Sequence, residues 1–74
     1  MENLRKITSK VLGIEEEKIN DELSREKEEL WDSFNHLLLV SEIEKEMGIK
    51  FTMPEVEEIK TFKDLNKLIE EKIK

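Results

Sequence analysis

Hydrophobic residues recur at helical spacing in three stretches of the chain, residues 2–12, 32–47 and 62–73. Within each stretch the apolar positions lie mostly three or four residues apart, so that they share one face of a helix with about 3.6 residues per turn. Gly13 and Gly48 follow the first two stretches, where a helix often ends in a left-handed turn that favours glycine. The pattern predicts three long amphipathic helices.

Polar residues stand where helices should begin. Asp32 is a good N-cap for the second long helix. Thr52 and Glu55 have the spacing of a capping box with a proline between them, which predicts a short helix over residues 53–58. Thr61, with an aspartate three residues later, repeats the pattern before the last helix. The chain is therefore expected to form three long helices and one short helix.

Residues 14–31 form a long connection between the first two long helices. Loops of this length in a compact domain usually carry a function or some structure of their own. We expect one helical turn near Glu15–Ile19. Scattered apolar side chains should pin the loop to the rest of the protein, and these are Ile14, Ile19, Leu23, Leu30 and Trp31.

These elements predict an all-α fold, a small bundle of three long helices and one short helix in a single domain of residues 1–74. A chain of 74 residues is close to the lower limit for one core, which leaves little room for a deep active-site cleft. The apolar stripe of the second helix is wide, so this helix is either the most buried or exposes apolar surface to a partner. The predicted core comprises Leu4, Ile7, Val11, Leu12, Phe34, Leu37, Val40, Ile43, Met47, Phe51, Ile59, Phe62, Leu65, Leu68 and Ile69.

The net charge of −6 is concentrated in the middle of the chain, because residues 15–46 contain twelve acidic and four basic residues. Such a surface repels nucleic acid and favours encounter with a basic protein. The longest apolar run, residues 37–40, is far shorter than the ~20 residues that span a bilayer, and the N-terminus lacks the pattern of a secretory signal. We expect a cytoplasmic monomer with protein partners.

Few catalytic arrangements can be built from these residues. The chain has one histidine, His36, and no cysteine or tyrosine. A triad of Ser33, His36 and Asp32 has poor geometry, because Asp32 stands beside Ser33 rather than behind the imidazole. Two glycines do not form a phosphate-binding loop, and the acidic runs lack the spacing of calcium ligands. The sequence therefore predicts a protein without catalytic residues or a metal site.

Ser33 is the remaining candidate for chemistry. It follows the predicted N-cap Asp32, where unpaired backbone N–H groups and the positive end of the helix dipole favour an attached phosphate. A hydroxyl in the first turn of a helix is exposed and held at a fixed angle. This placement suits recognition by a modifying enzyme.

Asp32-Ser33-Phe34 resembles the Asp-Ser-Leu motif of acyl carrier proteins, with phenylalanine in place of leucine. Residues 11–14 (VLGI) are similar to the end of the first helix of that family. Residues 33–47 are similar to its second helix, and residues 48–65 to its third and fourth. The chain is thereby identified as a member of this family.

The resemblance implies that a phosphopantetheinyl transferase moves the 4'-phosphopantetheine arm of coenzyme A to the Ser33 hydroxyl, beside Asp32. Acyl groups would then be carried as thioesters on the thiol of the arm and presented to loading and processing enzymes of a fatty acid, polyketide, lipid or surface-polymer pathway. Partners would dock on the second helix and the loop before it, through Trp31, Phe34, His36, Leu38, Glu42 and Glu44.

The unusual neighbours of the serine suggest a specialised stand-alone carrier. Trp31 could instead pack in the loop against the second helix, His36 could be an exposed helix residue, and Leu38 could be buried. Two other functions stay open. One is an aminoacyl carrier of the D-alanyl or peptidyl type, although the Gly-Gly of peptide-synthetase carriers is missing. The other is a helical interaction module that is never modified.

Overall fold

The computed structural model describes residues 2–73, and the side chains from Asn3 onwards. Its elements are α1 (Glu2–Leu12), a 3-10 turn (Glu16–Lys18), α2 (Ser33–Met47), α3 (Met53–Glu58) and α4 (Phe62–Lys72). The predicted three long helices and one short helix are thus confirmed, as is the helical turn in the loop. None of the helices within the described range is both long and apolar enough to cross a membrane.

Side-chain caps define where the helices begin. The Asn35 backbone N–H donates to Asp32 Oδ1 over 2.8 Å at the start of α2. Both expected capping boxes are present, one between Thr52 and Glu55 before α3 and one at the start of α4. Each such cap contributes about 1 kcal/mol to helix stability. Gly48 ends α2 with a positive φ of 64°, a conformation that side chains with a Cβ rarely adopt.

The long loop is attached to the connection between α3 and α4. The Phe62 N–H donates to the Leu23 carbonyl over 2.8 Å, and the Arg25 N–H donates to the Lys60 carbonyl over 2.9 Å. Buried loop side chains add to this attachment, and they are Ile14, Ile19 and Trp31. The loop is therefore held by its backbone and by most of the apolar residues predicted to pin it. The prediction is wrong for Leu30, whose side chain is 47% exposed.

The core differs from the prediction at the start of α2. Phe34 and Leu37 were expected inside, but they are 70% and 55% exposed. The face of α2 that packs inward carries His36, Leu39, Val40 and Ile43 instead. Because apolar residues surround this helix almost completely, their spacing alone could not indicate which face is buried.

Most of the remaining predicted core is at least partly buried. Leu4, Ile43, Leu65 and Ile69 have no exposed surface, whereas the predicted residues Ile7, Val11, Met47, Phe51 and Leu68 are half-buried at its edge. The prediction omitted five buried apolar residues, three in the long loop and two within α2 and α3. These are Ile14, Ile19, Trp31, Leu39 and Val56.

The orientation of α2 can be tested by replacing two leucines of the same helix. We expect Leu39→Ala to lower the free energy of unfolding by about 2–5 kcal/mol, because it leaves a cavity in the core. Leu37→Ala, at an exposed position, should change it by less than about 1 kcal/mol. Urea denaturation followed by circular dichroism measures both values. Equal losses in the two variants would contradict the observed orientation.

Candidate functional site

Ser33 is the first residue of α2, and its side chain is exposed. The chain enters the helix in a fixed geometry, because Asp32 caps the helix and Asn35 Nδ2 donates to the Leu30 carbonyl over 2.8 Å. The second contact holds the last part of the loop against the first turn of α2. The hydroxyl is therefore presented at a rigid helix start, as the sequence predicted.

Directly behind Ser33 lies a chain of buried hydrogen bonds through Trp31, His36 and Val56. The Trp31 indole Nε1–H donates to His36 Nδ1 over 2.9 Å, and His36 Nε2 lies 2.9 Å from the Val56 carbonyl oxygen. An indole N–H can only donate, so Nδ1 must accept, and the ring proton resides on Nε2 and points to Val56. This tautomer satisfies both ring nitrogens and joins the loop, α2 and α3.

The same burial keeps the imidazole neutral. Desolvation lowers the pKa of His36 below its usual value of 6.5, and the nearby charge of Arg25 acts in the same direction. The hydrogen bond to Val56 opposes the decrease. A proton added to Nδ1 would face the indole N–H, so protonation would break the link to Trp31.

The structure corrects the prediction for Trp31 and His36. Their side chains are 1% and 3% exposed, which contradicts both the expectation that they contact partners and the alternative of His36 as an exposed residue. The alternative of Trp31 packing within the loop is confirmed. Helical spacing could have placed His36 on the inward face with Val40 and Ile43, but its polar ring argued against a core position.

The other predicted docking residues fall into two groups. Phe34 and Leu38 are 70% and 45% exposed, whereas Glu42 is half-buried. Glu44 has an internal contact, because its Oε2 accepts the Phe51 N–H over 2.8 Å and so ties α2 to the segment before α3. Exposed leucines extend the apolar surface beyond the prediction. We call Leu30, Phe34, Leu37 and Leu38 the outer apolar patch.

A shallow groove opens on another side of Ser33. Its walls are residues 24–26, residues 31–33, residues 60–61 and Asp64, and its volume is about 700 Å³. This volume is within the usual range for small-molecule sites. The groove's lining residues include three with hydroxyl groups, two cations and three carboxylates, which suits a flexible chain with hydrogen-bonding groups. The described residues contain no cluster of side chains suited to a metal ion.

Comparison with known proteins identifies the class to which this fold and site belong. A family model described as "Phosphopantetheine attachment site" matches residues 2–69. The chain belongs to this family of carrier proteins, which hold substrates on a covalent 4'-phosphopantetheine and are not themselves enzymes.

The fold is similar to that of a solved carrier. The solution NMR structure of holo acyl carrier protein from Geobacter metallireducens is 28% identical, with a TM-score of 0.86. The match covers 97% of this chain and 83% of that one. No curated protein sequence matches the chain significantly.

The neutral state of His36 predicts how stability depends on pH. Its folded pKa is depressed, so below about pH 6.5 the unfolded chain binds a proton that the folded chain does not. The free energy of unfolding should therefore be highest above this pH and decrease on acidification, by at most about 1.4 kcal/mol per pH unit. Urea denaturation between neutral pH and about pH 5, above the range of most carboxyl groups, measures this slope.

His36→Gln is the matched variant, because its amide keeps a polar group at the site but has no titrating proton. We expect the variant to be less stable at neutral pH and to lack the slope. Parallel curves for the two proteins would show that His36 is not the group that titrates.

Proposed function

We propose that this chain is an acyl carrier protein in which Ser33 holds the 4'-phosphopantetheine arm. The observation that carries the proposal is the exposed Ser33 hydroxyl at the first position of α2, in a chain that belongs to the phosphopantetheine attachment family. A phosphopantetheinyl transferase would join the serine oxygen to the phosphate of the arm, and the nucleotide part of coenzyme A would leave.

The start of α2 supports a phosphodiester at this position. Backbone N–H groups of the first turn have no partner within the helix, and the helix dipole is positive there. Asp32 directs its carboxylate to the Asn35 N–H, so one of its oxygens is engaged in the cap. The attached phosphate would thus meet a helix end that favours negative charge.

The arm would carry acyl groups as thioesters on its thiol and raise their concentration near a docked enzyme. The similar protein from Geobacter metallireducens is described as a holo acyl carrier protein, which supports acyl rather than aminoacyl cargo. Fatty acid, polyketide and related lipid or surface-polymer pathways use such cargo. Loading assays with acylating and adenylating enzymes distinguish this cargo from D-alanyl or peptidyl groups.

The proposed carrier is a single domain and a monomer. Its enzymes would dock on the outer apolar patch beside Ser33. Phe34 is the most exposed large apolar side chain of α2, and apolar anchors of this kind supply much of the affinity of protein interfaces. Acidic residues near the patch, including Asp32 and Glu42, would steer a basic partner towards it.

The attachment site can be tested with coenzyme A and a broad-specificity phosphopantetheinyl transferase. We expect the intact mass to increase by one arm in the wild-type protein and not at all in Ser33→Ala, because the variant lacks the accepting hydroxyl. Ser41→Ala is the matched control, since Ser41 is another exposed serine of α2. A mass increase that persists in Ser33→Ala, or none in the wild-type protein, would refute the proposal.

The docking surface can be tested with the same transferase as the partner. Phe34→Ala and Leu38→Ala should each lower kcat/KM for arm transfer by about tenfold, which corresponds to about 1.4 kcal/mol of lost apolar contact. Ile73→Ala removes an apolar residue outside α2 whose exposure, 54%, lies between those of Leu38 and Phe34, and should leave kcat/KM unchanged. Unchanged values in both α2 variants, with normal circular dichroism, would exclude the patch as the docking surface for this enzyme.

A further inference from the structure

The groove beside Ser33 is made by three segments that are distant in sequence. These are the turn at residues 24–26, the start of α2 and the connection between α3 and α4. Their relative positions are fixed by backbone hydrogen bonds, including the bond from the Arg25 N–H to the Lys60 carbonyl. Asp64 Oδ2 also accepts the N–H groups of Lys60 and Thr61. The groove is thus formed before any ligand enters it.

Arg25 gives this groove hydrogen-bonding capacity that the protein itself does not use. Its Nη1 donates to the Ile59 carbonyl over 3.2 Å, which holds the guanidinium in place. Its Nε is covered and has no hydrogen-bond partner. A guanidinium has five N–H donors. One on Nη1 is used and the Nε–H is covered, so the donors left for an acceptor at the groove wall are the other Nη hydrogens.

The groove is lined by two cations and three carboxylates, and the cations are the groups that can receive oxygen acceptors of a ligand. Neither Arg25 nor Lys60 forms an ion pair with any carboxylate among the described side chains, residues 3–73. Two of the three carboxylates along the groove accept backbone N–H groups at helix starts: Asp32 accepts that of Asn35, and Asp64 accepts those of Lys60 and Thr61. The two cations therefore reduce the repulsion that the carboxylates of the groove would exert on a phosphate attached to Ser33.

We infer that the groove is a binding site for the phosphodiester and the first amide-bearing segment of the arm, with Arg25 donating to their oxygens. This inference rests on the proposed attachment at Ser33. A ligand tethered at the rim of the groove has an effective concentration in the millimolar range, so even weak contacts keep it bound.

An arm bound in the groove lies on the surface of its own carrier. It does not cover the outer apolar patch, on which enzymes are proposed to dock. The groove and the outer apolar patch share no lining residue. An enzyme on the patch would therefore not need to displace the groove walls, and the arm could leave the groove while the enzyme stays bound.

Nuclear magnetic resonance of the apo and holo proteins tests this inference. We expect arm attachment to shift the backbone amides of residues 24–26 and 60–61, and to give NOEs between arm protons and the side chain of Thr61, which lines the groove. Arg25→Gln and Lys60→Gln should reduce the amide shifts by about half or more, because each removes a charged donor. Lys27→Gln is the control, since Lys27 is an exposed cation of the same loop that does not line the groove.

Shifts confined to the first turn of α2 in a protein that carries the arm would overturn the inference while leaving the proposed function intact. Equal groove shifts in all three variants would likewise overturn the role of Arg25. Lys60→Gln keeps this test independent of folding, because the Lys60 contacts in the structure are made by its backbone. Absence of any mass increase would instead refute attachment itself.

Discussion

The hydrogen bonds from Trp31 through His36 to Val56 hold together the three elements that surround Ser33. They connect the end of the loop, the first turns of α2 and the short helix α3. Buried polar groups are costly unless every one finds a partner, and in this chain both imidazole nitrogens and the indole N–H do. The neutral tautomer of His36 with its proton on Nε2 therefore connects the end of the loop, α2 and α3.

The helix α2 has two faces with different roles. The inner face, with His36, Leu39 and Ile43, packs against the rest of the bundle. The outer face carries Ser33 and the outer apolar patch. Exposed apolar side chains on a small protein favour association, so their position beside Ser33 agrees with the proposal that enzymes dock transiently next to the attachment site.

The long loop contributes to the site as well as connecting two helices. Its first half is anchored by Ile14 and Ile19 in the core, and its middle pairs with the α3–α4 connection near Arg25. Its end supplies Trp31 and the capping residue Asp32. A chain of this size has few helices from which to form a core. The loop therefore supplies buried core residues as well as part of the groove wall.

Local sequence signals determined the helices and the candidate serine. Caps such as Asp32, and a stop such as Gly48, act through neighbouring backbone groups, so short stretches of sequence are enough to predict the helix bounds and the place of Ser33. The resemblance to acyl carrier proteins, which extends over nearly the whole chain, indicated the attached arm.

Only the tertiary structure decided which face of α2 is buried. Phe34 and Leu37 were expected in the core and lie outside, whereas Trp31 and His36 were assigned to docking and lie inside. Apolar residues surround α2, so its rotation depends on the partners that other elements bring to it. No local sequence pattern predicts that the Trp31 indole bonds to the His36 imidazole. Nor does one predict that Arg25 contacts the α3–α4 connection.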